Sequence, residues 1–232
     1  MRFSVACLPF AGSGASFYRP WQKLAGEKMR VVPLQLPGRQ ERFADEPFTE
    51  VTDVRSLAPE LMRQAGPGPV VLFGHSLGAV LAFELARELE RLDFDQLEHL
   101  VASGSPGPWH GRPQRATGLD DDAFLARVRE FAGYDHEVFD NPEMRELLIP
   151  LLRADVAMHE DYKPAADPLL SIPVTAVRGI DDTLVSPAQA AQWRETTTGP
   201  FFAENVPGGH MYLSDDPRLV LATIEHCVAR AH

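Results

Sequence analysis

Val70-Val71-Leu72-Phe73-Gly74-His75-Ser76-Leu77-Gly78-Ala79-Val80-Leu81 is the stretch on which the reading of this chain turns. Its first four residues are apolar and two are β-branched, as in a strand buried on both faces. From Ser76 onward the spacing changes: Leu77, Val80, Leu81, Ala86 and Leu89 recur close to helical period and predict a helix to about Leu92. Between the two periods lies Gly74-His75-Ser76-Leu77-Gly78, a Gly-x-Ser-x-Gly pattern on a strand-to-helix turn. A serine hydroxyl is a poor nucleophile at neutral pH and needs a rigid, accessible position with a base in reach. Such a turn supplies the position, because flanking glycines let it pack tightly against its neighbours. Ser76 is therefore the candidate nucleophile. The Leu77 amide, at the start of the helix, is a candidate oxyanion donor. His75 adjoins the serine, but neighbouring residues on such a turn point in different directions, so it reads as a packing or supporting residue.

On either side of this turn, β-rich runs alternate with helical patterns, and strands are predicted at 3–8, 31–36, 70–73, 100–103, 174–178 and 201–206. The alternation predicts an α/β protein with a mostly parallel central sheet flanked by helices. With the serine turn in place, the fold class is an α/β-hydrolase. Between residues 104 and 172 the pattern breaks: a Pro- and Gly-rich loop at 105–113 leads to two helical stretches. The second carries Met144, Leu147, Leu148, Leu151 and Leu152 on one apolar face. We read 1–104 and 172–232 as the core of a single domain and 105–171 as a helical lid insertion that roofs an acyl pocket.

In this fold an acid and then a histidine follow the serine along the chain. Pro207-Gly208-Gly209-His210 comes after the last predicted strand, and its glycines can carry His210 across the top of the sheet as the base. The other histidines read as surface or packing residues: His99 ahead of a strand, His110, His136 and His159 in the insertion, His226 and His232 at the end. After the 174–178 strand, Gly179-Ile180-Asp181-Asp182-Thr183-Leu184-Val185 offers two carboxylates to orient the imidazole. Asp182 has the Gly-x-x-Asp-x-x-Val spacing of this fold and is preferred over Asp181. Asp215 and Asp216 read as first-turn residues of the last helix. The loop Pro9-Phe10-Ala11-Gly12-Ser13-Gly14 is the expected source of a second oxyanion donor, Ala11 ahead of Phe10. A dinucleotide site there is disfavoured, since the third glycine of that fingerprint and an acidic residue ending the next strand are both missing.

A net charge of −11 argues against non-specific nucleic-acid binding, because little here would neutralise a phosphate backbone. No run approaches the roughly 18 apolar residues of a membrane span, and no leader pattern opens the chain, so a cytoplasmic protein is expected. Cys7 and Cys227 show no pairing or metal-ligand spacing and read as reduced packing residues, with no cofactor or metal implied.

These residues resemble the free-standing type II thioesterases of polyketide and non-ribosomal peptide biosynthesis, nearly end to end. Beyond the three triad candidates, the resemblance is carried by Leu8-Pro9-Phe10-Ala11-Gly12, Phe17-Tyr18-Arg19-Pro20-Trp21, Leu36-Pro37-Gly38-Arg39 with Arg42, Pro150-Leu151-Leu152-Arg153-Ala154-Asp155 and Trp193-Arg194-Glu195-Thr196-Thr197. It implies hydrolysis of acyl groups from the phosphopantetheine arm of acyl or peptidyl carrier proteins, clearing stalled or mis-primed chains under a mobile helical lid. Phe10, Met211, Met144 and Leu148 are the expected substrate contacts, and a monomer is expected. Two positions depart from the usual pattern: Thr183 stands where a proline commonly follows the acid, and Met211 where an aromatic commonly follows the histidine. His110, Arg112 and Arg115 form a candidate patch near the pantetheine phosphate, although a solvated loop is the plainer reading. The alternatives are a serine esterase or lipase on free esters, a macrocyclising thioesterase, and a non-catalytic binding protein of the same fold.

Overall fold

The structure is a computed structural model that describes residues 2–111, 115–132 and 141–231. Among these, six strands form one sheet: β1 (Phe3–Leu8), β2 (Met29–Pro33), β3 (Val70–His75), β4 (Leu97–Ser103), β5 (Val174–Gly179) and β6 (Phe201–Val206). All neighbouring pairs are parallel, in the order β2-β1-β3-β4-β5-β6. Every residue of β1, β3 and β5 is buried, as expected of strands covered on both faces.

The period-2 alternation sorts these side chains onto two layers. On one face Ala6, Leu8, Val70 and Leu72 pack with α2 (Ala58–Gln64) and α3 (Leu77–Arg91). On the other, Val5, Cys7, Val71 and Phe73 pack with α1 (Trp21–Leu24) and with α8 (Pro217–Ala231) through Val220 and Ile224. Between β4 and β5 run α4 (Asp121–Ala132) and α5 (Pro142–Asp161), and α6 (Pro187–Ala191) precedes β6. Phe124, Leu125, Ile149 and Leu152 close a separate small core between these two helices, and Ala11 packs against it. Arg145 and Arg153 of α5 pair with Asp122 and Asp121 of α4, each at 2.7 Å. Exposed pairs of this kind contribute about 0–1 kcal/mol each, so the apolar contacts dominate. Helix α5 starts on an Asn141 side chain that accepts the Glu143 and Met144 amides, and it stops at Tyr162, whose backbone is extended just ahead of Lys163-Pro164.

The predicted strand at 31–36 is displaced. Its true span is Met29–Pro33, because β1 ends at Leu8 and the register runs from Phe3↔Met29 to Cys7↔Pro33. Leu34 and Leu36 are buried in the loop beyond it. Strand β3 reaches two residues further than its apolar run: Gly74 pairs with Leu8 and Ala102, and His75 with Ser103. His99 lies inside β4, not ahead of it, and bonds Thr175 Oγ1 through Nε2 at 2.8 Å.

Candidate active site

Ser76 sits between β3 and α3 with φ 55° and ψ −117°. A left-handed backbone at a residue with a Cβ costs about 1–2 kcal/mol and persists only where the surroundings over-determine it. Here they do. The Ser76 amide donates to Ser103 O at 2.8 Å. A Cβ on Gly74 would lie 1.9 Å from Gly78 O, and a Cβ on Gly78 would lie 2.5 Å from Leu8 O. Both flanking glycines are thus demanded by backbone crossing backbone. Leu77 is the first residue of α3, where a helix has no acceptor of its own for the amide.

His210 follows β6 and a Gly208 with φ 105°. Its Nδ1 lies 2.9 Å from Asp182 Oδ2. The other carboxylate oxygen, Oδ1, accepts the Leu184 and Val185 amides at 2.8 and 3.1 Å. Burial pushes the Asp182 carboxyl up, but the His210 hydrogen bond and charge and the two amides outweigh it and leave it below its ordinary value. Asp181 instead is exposed, and its amide bonds Gly208 O at 3.0 Å. Asp215 belongs to α7 (Tyr212–Asp215), and Asp216 Oδ1 caps α8 by accepting the Arg218 and Leu219 amides.

Ser76 and His210 line one cavity of about 510 Å³. Of the expected substrate contacts, Phe10, Leu148 and Met211 line it, as does Ala11, whereas Met144, one turn earlier on α5, is half-buried and is not among the lining residues. Leu125 and Val128 of α4 and Leu151, Leu152 and Val156 of α5 complete an apolar wall, so both helices face the space in front of Ser76. The size falls within the range of small-molecule sites. Sequence reasoning missed Gln40, His159 and Tyr162, which also border the cavity. Gln40 carries the one available signal, its place directly after the quoted Leu36–Arg39 run.

Beneath the site, His75 packs against His210 with ring centroids 4.8 Å apart, and its Nδ1 lies 2.7 Å from Ser103 Oγ, which in turn contacts the Tyr212 hydroxyl. Gly104, at φ 56°, makes room for the imidazole, since a Cβ there would lie 2.3 Å from His75 Cε1. His75 thus supports the site from below, as its place on the turn suggested.

Two of the three residues of the basic patch have acidic partners. His110 Nε2 lies 2.9 Å from Glu195 Oε2, Arg115 pairs with Glu160 and Asp161, and Arg112 lies outside the described residues. Likewise His136, His232 and Arg112's neighbours at 113–114 fall outside them. Among the described residues no group of His, Cys, Asp and Glu could hold a metal, and no helix is long and apolar enough to cross a membrane. Cys7 and Cys227 are buried and unpaired with each other; burial raises both thiols, that of Cys227 to about 11.

Known proteins are similar to this chain along most of its length. The thioesterase domain family matches residues 3–229. The thioesterase PikA5 of Streptomyces venezuelae is 36% identical over 91% of this chain and 75% of its own length. A probable cadicidin biosynthesis thioesterase of Streptomyces griseus is 35% identical over 90% of this chain; the chain spans 58% of that relative. Among solved structures, the type II thioesterase BorB from the borrelidin biosynthetic cluster superposes with a TM-score of 0.85 at 35% identity, covering 98% of this chain and 93% of BorB. The chain belongs to the thioesterase family, hydrolases of the α/β-hydrolase fold, and its relatives there are type II thioesterases of polyketide and non-ribosomal peptide biosynthesis.

Proposed function

We propose that the chain hydrolyses acyl groups from the phosphopantetheine arm of acyl or peptidyl carrier proteins, removing stalled or mis-primed chains. The observation that carries this reading is the convergence of Ser76 and His210 on one apolar cavity, with His210 held by a buried Asp182. Ser76 Oγ attacks the thioester carbonyl while His210 Nε2 takes its proton. Asp182 fixes the imidazole with Nδ1–H toward the carboxylate and stabilises the imidazolium that forms. The Leu77 and Ala11 amides hold the oxyanion. The C–S bond breaks, the thiol leaves with the proton from His210, and an acyl-enzyme remains. His210 then deprotonates a water, whose oxygen attacks the ester carbonyl. The acid departs, and Ser76 recovers its proton.

On this reading residues 105–171 act as a lid over the acyl chain, supported by the α4 and α5 side chains that line the cavity. The reading includes a monomer, and a reducing cytoplasm suits the two buried thiols. The test compares hydrolysis of an acyl-loaded carrier with that of a simple ester of the same acid. Turnover on the carrier should be the higher by kcat/KM, and Ser76→Ala should lower it by about 10⁶-fold. Equal kcat/KM on the free ester points instead to a general esterase. Retention of a tenth of the activity in Ser76→Ala would falsify the nucleophile.

A further inference from the structure

A buried polar contact away from Ser76 and His210 joins three segments distant in sequence. Arg39, in the loop after β2, meets Asp155 of α5 through two parallel bonds, Nη1 to Oδ2 at 2.7 Å and Nη2 to Oδ1 at 2.8 Å. Asp155 is 1% exposed and Arg39 5%, so the pair is shielded from water. Both also hold the loop after β1. Asp155 Oδ2 accepts the Gly12 amide at 2.8 Å, and Arg39 Nη1 donates to Ser13 O at 3.1 Å.

That loop lines the same cavity as Ser76. Phe10 to Ser13 form a turn closed by Ser13 N–H to Phe10 O at 2.9 Å, with Gly12 at φ 75°. A side chain at Gly12 would strain this backbone and would touch Leu152 Cδ1 of α5 at 3.0 Å. With the Gly12 amide committed to Asp155, the peptide planes of the turn are set. Among the described residues the Ala11 amide donates to no protein acceptor, while Ala11 lines the cavity with Ser76.

We propose that the Arg39–Asp155 pair is a positioning device: it fixes the turn that aims the Ala11 amide at the oxyanion, and makes that aim depend on where α5 sits. Helix α5 supplies Leu148, Leu151, Leu152 and Val156 to the cavity wall, so the helix that contacts the acyl chain also sets the donor. This rests on the proposed Ser76 mechanism with Ala11 as donor. A lost or misdirected donor acts on the transition state and leaves ground-state binding nearly intact.

The test measures Asp155→Ala and Asp155→Asn on an acyl-loaded carrier, with active enzyme counted by fluorophosphonate titration. An alkyl boronic acid serves as probe: Ser76 Oγ adds to boron, its proton passes to His210, and a boron-bound oxygen takes the oxyanion position. Asp155→Ala should lose about 10²-fold in kcat per titrated serine, with KM changed less than threefold and boronate affinity reduced in step. Asp155→Asn, which keeps one acceptor oxygen, should lose about tenfold and serves if the alanine variant does not fold. A merely structural bridge would lower the melting temperature and the titratable fraction but leave kcat per titrated serine and boronate affinity within twofold, and that result overturns the proposal. Ser76→Ala in the same assay separates the two readings. If it keeps its turnover, the triad itself fails; if it is inactive while both Asp155 variants match wild type, only the positioning role fails.

Discussion

Tyr162 donates its hydroxyl to Glu84, a carboxylate with no exposed surface, and so pins the end of α5 to the middle of the helix that begins beside Ser76. Glu84 also accepts from Arg87 at 3.0 Å and from Arg55 Nε at 2.9 Å. Arg87 in turn donates to Asp167 O at 2.6 Å, which holds the chain as it returns toward β5. Burial, with Glu84 next in effect, pushes the Tyr162 hydroxyl well above its ordinary value, so it stays a donor at every working pH.

Removing Glu84 leaves a buried guanidinium without its counter-charge. Glu84→Ala should cost about 3–5 kcal/mol of unfolding free energy, measured by urea titration. Tyr162→Phe removes one neutral donor from a carboxylate that keeps its arginines and should cost about 1–2 kcal/mol. Equal losses in the two variants would contradict the ranking.

Asp182 has a carboxyl held below its ordinary value in the folded chain. A depressed folded value means the stabilisation is complete above the unfolded pKa of about 3.9 and is lost as pH falls through the lower folded value. The melting-temperature gap between wild type and Asp182→Asn should therefore be steady above about pH 5 and shrink below about pH 4. At neutral pH the same variant should lose about 10⁴-fold in kcat, since the imidazole loses its fixed tautomer.

Gly74 and Gly78 face backbone atoms that no rotamer change can move. Gly74→Ala and Gly78→Ala should each lose more than about 4 kcal/mol or fail to fold, whereas Gly26→Ala, with nothing within 4 Å of the added carbon, should stay within about 0.5 kcal/mol. Thermal melts of the three variants decide this.

Leu148 lines the cavity from α5. Leu148→Trp shortens the space for an acyl chain, and kcat/KM for the longest accepted chain should fall about tenfold or more relative to the shortest. A panel of acyl-loaded carriers measures it; an unchanged ranking would detach Leu148 from chain-length selection.

The features legible in the sequence are those whose cause is local. Gly74 announces the turn because the chain crosses itself at Gly78 within five residues, and β1 and β3 announce themselves by their apolar runs. The limits of β2 were not legible, because a parallel strand ends where its partner ends, and Leu34 and Leu36 are as apolar as the residues before them. Glu84 looks like one more polar helix position until Arg55, Arg87 and Tyr162 arrive from elsewhere. Arg39 and Asp155 stand 116 residues apart, so their contact exists only in the folded chain, although both lie in the runs that carry the family resemblance. His159 gave no signal at all, since a histidine on a helix reads alike whether it faces water or a cavity.

The strand order has a consequence for how the enzyme is made. β1 and β3 are neighbours in the sheet and, with the α3 that begins beside Ser76, come early in the chain, while β6 forms the sheet's far edge and His210 follows it. A growing chain emerges from its N-terminal end. On the proposed mechanism the ribosome therefore releases the nucleophile before the base, and an unfinished chain has nothing to draw the proton from Ser76. If that mechanism holds, synthesis itself keeps the protein inert toward thioesters until His210 has followed the last strand into place.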